Sequence, residues 1–294
     1  MLLIFSRFTG NRLKYVFDYI FQERFCIDYR ITNDLENFIA TKGIAKFCYN
    51  TDSINDGLFF YASSSLLNET GIKQVRTDEG TSYNSSVLFS HQNKSSALSF
   101  DIFAAIFYLL SRYEEYIYEG KDEYGNFDHR QSIFYKLNKL DTPVVDEWIN
   151  TLKRVLKDHF PSLNFKEEKP RCILSFDIDV AYEYKNRTAL RTIGGLAKKI
   201  VTFKFKALQN QVLTLLNRKQ DAFDTYQYIK ERIKNNSAVF FFNMGKYGKR
   251  DKNPSYRNNA FRQLILAIHQ KRFVGLHPSY ASNYHTELLS KEKR

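Results

Sequence analysis

Three residues in the second half of the chain have the types and the setting for hydrolytic chemistry. Asp177 and Asp179, spaced i, i+2, close the compact apolar run Cys172-Ile-Leu-Ser-Phe176, and His277 follows the apolar run 273–276. Short apolar runs bounded by polar residues read as buried strands of a parallel sheet. Active sites of parallel α/β folds form at the carboxyl ends of such strands. If the two strands are neighbours, two carboxylates and an imidazole meet at one mouth. Oxygen and imidazole donors suit a divalent metal: zinc, manganese, cobalt or iron(II). Such an ion polarises a carbonyl and lowers the pKa of a bound water, and the spare carboxylate can serve as its general base. The ordinary alternative is a turn-forming Asp and a hydrogen-bonded His.

The elements needed to position these groups can be read from the pattern. The runs 172–176, 238–242 and 273–276 read as strands. Between them, amphipathic helical patterning runs over 195–217, Asp224-Thr225 caps a helix through Lys234, and 259–271 is helical. Strand–helix–strand–helix–strand order predicts parallel βαβ units. Asn243, at the end of the second strand, is a candidate to line the pocket. The loop after it carries Lys246, Lys249, Arg250, Lys252 and Arg257, which either grip an anionic substrate or form a charged surface loop.

The first half has a different texture. Leu2–Phe5, 25–29, 47–49 and Leu58–Tyr61 read as strands, with a turn at 55–57, and 13–22 reads as a helix. Asp101 is placed to cap a helix that keeps apolar spacing through Ile102, Ala105, Ile106, Leu109, Leu110 and Tyr113. A second helix begins near Thr142-Pro143 and runs past Trp148. Arg112, Glu114, Glu115, Asp146 and Glu147 are minor candidates whose simplest reading is helix surface. The polar, two-proline stretch 161–170 marks a domain boundary, giving an N-terminal α/β domain over 1–165 and a second over 168–294.

Charge divides the same way. Residues 1–150 hold 15 Lys/Arg and 20 Asp/Glu; residues 151–294 hold 29 and 12, within a chain of net charge +12. The stretch 184–220 contains nine basic residues and no acidic one. Such a field attracts polyanions such as nucleic acid, anionic lipid heads or an acidic or lipid-linked glycan. Cys26, Cys48 and Cys172 form no CxxC pair, which argues against a disulfide framework or structural zinc and for reduced thiols in the cytoplasm. The apolar opening is too short for a signal-peptide core, and no apolar run is long enough to span a bilayer. Aromatics, 26 Phe and 20 Tyr among them, reach 16% and are expected mainly in cores.

The stretch SFDID (175–179) resembles the first motif of NodB-type polysaccharide deacetylases, carbohydrate esterase family four, and VGLHPSYAS (274–282) resembles their second. More broadly, the chain is similar to a two-domain group of deacetylase-like proteins of Bacteroidetes, through FAAIFYLLSRYEEY (103–116), PVVDEW (143–148), LSFDID (174–179), FDTYQYI (223–229), FFFNMG (240–245) and GLHPSYAS (275–282). The resemblance implies an α/β fold: an N-terminal α/β domain, then an incomplete NodB-like (β/α) barrel whose later elements would lie beyond residue 294. It implies a hydrolase that removes acetyl groups from a carbohydrate, with Asp177 as base and Asp179 and His277 as metal ligands; Asn243 and Tyr280 are the candidates to contact substrate. The expected partner is a glycan, anionic or lipid-linked, with no specific nucleic acid. The motif's second histidine, four residues after the first, is here Ala281; the nearest later one is His285. Without it the alternative is a non-catalytic carbohydrate-binding or scaffold relative.

Overall fold

The computed structural model describes all residues other than 55–56, 83–84, 124, 167–168, 234–236 and 294, so the turn expected at 55–57 and the helix end at Lys234 lie partly outside the described residues. The chain divides into two compact units, Met1–Glu168 and Lys169–Arg294.

In the first unit, β1 (Leu2–Phe5), α1 (Asn11–Phe17), β2 (Tyr29–Thr32), α2 (Leu35–Ala40), β3 (Ala45–Asn50) and β4 (Leu58–Tyr61) build a parallel sheet of order β2-β1-β3-β4. A short antiparallel pair follows, β5 (Gly80–Ser82) and β6 (Ser85–Val87), then α3 (Ile102–Leu110), α4 (Glu114–Ile117), α5 (Ile133–Lys136) and α6 (Val144–His159). The strand expected at 25–29 starts only at Tyr29. The helix begun by α1 continues in wide turns to Arg24, and its end takes up the amides of Phe25 and Ile27, which bond the carbonyls of Ile20 and Phe21. Asp101 caps α3 by accepting from the Ala104 amide at 3.1 Å. The helix stops earlier than its apolar spacing implies, because Arg112 takes a left-handed backbone, φ +53°.

Strand alternation gives this sheet two buried faces. Leu2, Ile4, Phe47, Tyr49, Leu58 and Phe60 join α1, α3 and α6 in the larger core. Leu3, Phe5, Cys48 and Phe59 pack with Phe38 of α2 on the other. Phe103 is the hub of the larger core, with ring centroids 4.9 Å from Phe17, 5.0 Å from Tyr49 and 5.5 Å from Phe60.

The second unit runs β7 (Ile173–Ile178), α7 (Ala189–Val201), α8 (Phe205–Leu215), α9 (Tyr226–Ile233), β8 (Ser237–Asn243), α10 (Asn259–His269), β9 (Phe273–His277) and α11 (Thr286–Lys293). The strands form a parallel sheet of order β7-β8-β9. The described residues thus make an open three-stranded α/β sheet. The single helix expected over 195–217 is two. Phe203, φ +52°, sits just past α7; its amide bonds the Ile200 carbonyl and the Lys204 amide bonds that of Lys199. This double closure ends a helix firmly and favours glycine at the left-handed position, so a phenylalanine there hides the break from sequence reading.

Candidate functional site

Alternation along β7 sorts its side chains. Leu174, Phe176 and Ile178 pack into the unit's core with Ala238, Phe240, Phe242 and Phe261, whereas Ser175, Asp177 and Asp179 are exposed on the opposite face. The register then sets out the open face. Asp177 pairs with Phe241, which pairs with Gly275, and two residues towards the carboxyl end Asn243 pairs with His277. Asp179 follows β7 at that same end. A Cβ on Gly275 would lie 2.5 Å from Cδ1 and Cε1 of Phe241, so the glycine is what lets the Phe241 ring lie across that strand.

Asp179 and His277 meet there. Nε2 of His277 is 3.2 Å from Oδ1 of Asp179, and Nδ1 is 2.9 Å from the Pro278 carbonyl oxygen. A carbonyl can only accept, so Nδ1 carries a proton, and a neutral ring turns the Nε2 lone pair towards a carboxylate. Two lone pairs at that distance repel unless a proton or a cation lies between them. Two donors on one tetrahedral zinc, at bond lengths near 2.0–2.1 Å, stand about 3.3 Å apart. A histidine oriented by a backbone carbonyl through its second nitrogen is also the usual arrangement of a metal-bound imidazole. The donor types and their separation therefore fit two ligands of one divalent ion. Among the described residues no cluster of three His, Cys, Asp or Glu side chains is placed to hold a metal. Ala281 lies in the short turn Tyr280–Asn283, and His285 pairs with Glu287 at 3.4 Å.

The groups around this pair are fixed by buried polar contacts. Asn243 is buried and both ends of its amide are taken: Nδ2 donates to Asp251 Oδ1 at 3.0 Å and Oδ1 accepts from the Gly245 amide at 2.8 Å. Through these bonds it holds the loop after β8. Asp251 Oδ1 also accepts from the Tyr280 amide, tying the loop after β8 to the segment after β9. Asn253 joins the ends of β7 and β8, accepting from the Ala181 amide and donating to the Asn243 carbonyl. Gly245 has no room for a side chain, since a Cβ would approach that of Ser279 to 2.4 Å. Asp221, also buried, accepts from the amides of Glu183, Tyr184, Lys185 and Phe223. Burial pushes its carboxyl up, but these donations together hold it below the usual carboxylate range. Sequence reading missed Asp221, Asp251 and Asn253; a polar residue in a polar loop gives no signal of its distant partner.

Tyr280 is partly exposed at the rim, with the Arg250 guanidinium 4.8 Å from its ring centre. Two of the other loop cations are engaged locally. Lys252 donates to the Gly248 carbonyl, and Arg257 donates to the Tyr256 hydroxyl.

Comparison with known proteins bears on the other unit. Residues 1–161 match a family of unknown function, DUF7033. The chain belongs to the DUF7033 family. No curated protein and no solved structure matches it. In the DUF7033 domain each minor candidate has a polar partner. Glu114 is buried and accepts from the Ile133 amide and the Ser132 hydroxyl, bracing the start of α5. Arg112 pairs with Glu115, Asp146 with Arg24, and Glu147 accepts from Ser85. Trp148 is core, its Nε1 donating to the Ser86 carbonyl. Two clefts of the domain, about 430 and 500 Å³, are lined by Tyr108, Glu114 and Asp146 in one case and by Gly10, Lys14 and Tyr29 in the other.

Proposed function

We propose that the second unit is the metal-dependent core of a carbohydrate deacetylase, a hydrolase that removes acetyl groups from an acetylated sugar. The observation that carries this reading is the 3.2 Å approach of Asp179 and His277 at the carboxyl ends of parallel strands, with Asp177 exposed on the same face. Asp179 and His277 would hold the ion, zinc by preference, with manganese, cobalt or iron(II) as alternatives. When bound, it supplies Lewis acidity and a water of lowered pKa. The Pro278 carbonyl keeps the His277 proton on Nδ1, so Nε2 stays a ligand. Asp177, two residues back on the open face, is the proton acceptor. The Phe241 ring, lying over Gly275 on the open face, gives a sugar an apolar plane, and Tyr280 under Arg250 forms a rim suited to hydroxyls or an acidic substituent.

One observation favours a second reading. The described residues supply two metal donors where catalytic zinc normally takes three, which suits a relative that binds glycans without cleaving them. Elemental analysis and titration calorimetry of the purified chain decide between the two. Stoichiometric metal, lost in both Asp179→Ala and His277→Ala, with acetate release from acetylated sugars lost in Asp177→Asn, is the expected result. Absence of bound metal under zinc, manganese and cobalt supply would overturn the hydrolase and leave the binding reading.

A further inference from the structure

The helical hairpin between β7 and α9 has its amphipathicity turned outward. On α7, Leu190, Ile193, Ala197 and Ile200 are all exposed, at spacings of three, four and three. At 3.6 residues per turn they lie within about 80° of arc. On α8, Phe205, Leu208, Val212 and Leu215 repeat the same spacing, and all but the half-buried Leu208 are exposed. Leu190 is 85% exposed and Phe203, at the tip, 77%. The polar groups, by contrast, are inside. Gln211 and Thr214 are 1% and 2% exposed. Gln211 accepts from Lys199 Nζ at 2.6 Å and donates to the Thr192 carbonyl, and Gly195 lies against it. Two helices that bury a Gln and a Thr and present Leu, Ile, Val and Phe outward leave their apolar stripes for something outside the hairpin.

Charge selects the partner. Nine Lys and Arg and no Asp or Glu lie between 184 and 220, and Lys198, Lys204 and Lys206 are exposed around the tip, where the rings of Phe203 and Phe205 pack edge to face at 6.1 Å. A second copy would bring two such cationic hairpins together. Nucleic acid would use the cations but gain nothing from the Leu, Ile and Val stripe. An anionic lipid surface uses both, the lysines meeting headgroups and the aromatic tip and stripes entering the acyl boundary. At 13 and 11 residues, α7 and α8 are short for a span, which fits an interfacial position. We propose that the α7–α8 hairpin docks this protein onto anionic membrane surfaces. This inference does not depend on the metal site.

The test is co-sedimentation of the full chain with phosphatidylglycerol-containing vesicles against pure phosphatidylcholine vesicles. Binding is expected to the first alone and to fall as salt is raised. Each of Lys198→Gln, Lys204→Gln and Lys206→Gln should weaken it roughly fivefold. Phe203→Ser with Phe205→Ser should abolish it while leaving the circular dichroism spectrum unchanged. Phe203→Trp supplies a second readout, a blue shift of emission on anionic vesicles above the constant signal of the buried Trp148. The proposal is overturned by equal partition into neutral vesicles, by no partition at all, by a dimer in sedimentation equilibrium that the Phe203 and Phe205 substitutions dissolve, or by nucleic-acid binding in place of vesicle binding.

Discussion

The two units build parallel sheets from similar apolar strands and finish them differently. The DUF7033 sheet is covered on both faces, by α1, α3 and α6 on one side and by α2 on the other. The β7-β8-β9 sheet is packed on one face and carries Asp177, Phe241, Gly275 and His277 on the other. Parallel sheets are ordinarily buried on both faces. The face left open in this sheet carries acidic and imidazole groups at its carboxyl end, and the proposed chemistry would lie there. The larger core of the DUF7033 sheet is instead closed by a dense aromatic cluster. The comparison can be pressed by substitution.

The largest effect is expected at Phe103. Its ring touches Phe17, Phe47, Tyr49 and Phe60, so Phe103→Ala removes the hub of the covered core and should cost about 3–5 kcal/mol. Phe241→Ala, the same deletion on the open face, should cost under about 1.5 kcal/mol because its ring is only half buried. Urea unfolding followed by Trp148 emission reports the first unit, and hydrogen exchange of β8 reports the second. Equal costs would mean that the two faces do not differ as described.

The next effect is a pH dependence confined to the DUF7033 domain. Burial raises the Asp101 carboxyl to about 6, against the opposing hydrogen bonds from the Ala104 and Ser64 amides and the Tyr49 hydroxyl. The folded state therefore binds this proton more tightly than the unfolded state, whose carboxyl titrates near 3.8. The contribution to stability is fully present below 3.8, is lost as pH rises through about 6, and is constant above that. The swing is about 3 kcal/mol. Asp101→Asn, which keeps the capping oxygen, should lack it. The difference between wild-type and variant urea stabilities should change by about that much between pH 4 and pH 7, and parallel curves would remove Asp101 as the titrating group.

What could be read beforehand follows the range of the interactions involved. Strands β1, β3, β4, β7, β8 and β9 show as short apolar runs, and the Asp101 cap shows because its partner is three residues away. Asp179 and His277 could be nominated from strand-end position, and their 3.2 Å approach depends on β7 and β9 flanking β8, an order that no local pattern states. Asn253 was illegible for the same reason: its partners at Ala181 and Asn243 are set by the fold, not by spacing. The α7–α8 stripes were legible as periodicity but not as exposure, because a pattern shows that a face is apolar and not what covers it.

The smallest effect is the sharpest test of the open face. Gly275 and Phe241 occupy one rung of the sheet, two residues before the rung that holds Asn243 and His277 on the same face. In Gly275→Ala the new Cβ would sit 2.5 Å from two carbons of the Phe241 ring, so the ring must leave its place, at about 1–2 kcal/mol. If the cost arises from that clash, it should vanish when Phe241 is already Ala, and the coupling between the two substitutions should equal nearly the whole penalty. Metal affinity supplies the second readout. A ring displaced on the face that carries His277 should weaken binding in Gly275→Ala and leave the double variant closer to wild type. The same cost in both backgrounds would mean that the ring does not lie on the strand, and the aromatic plane offered to a sugar would go with it.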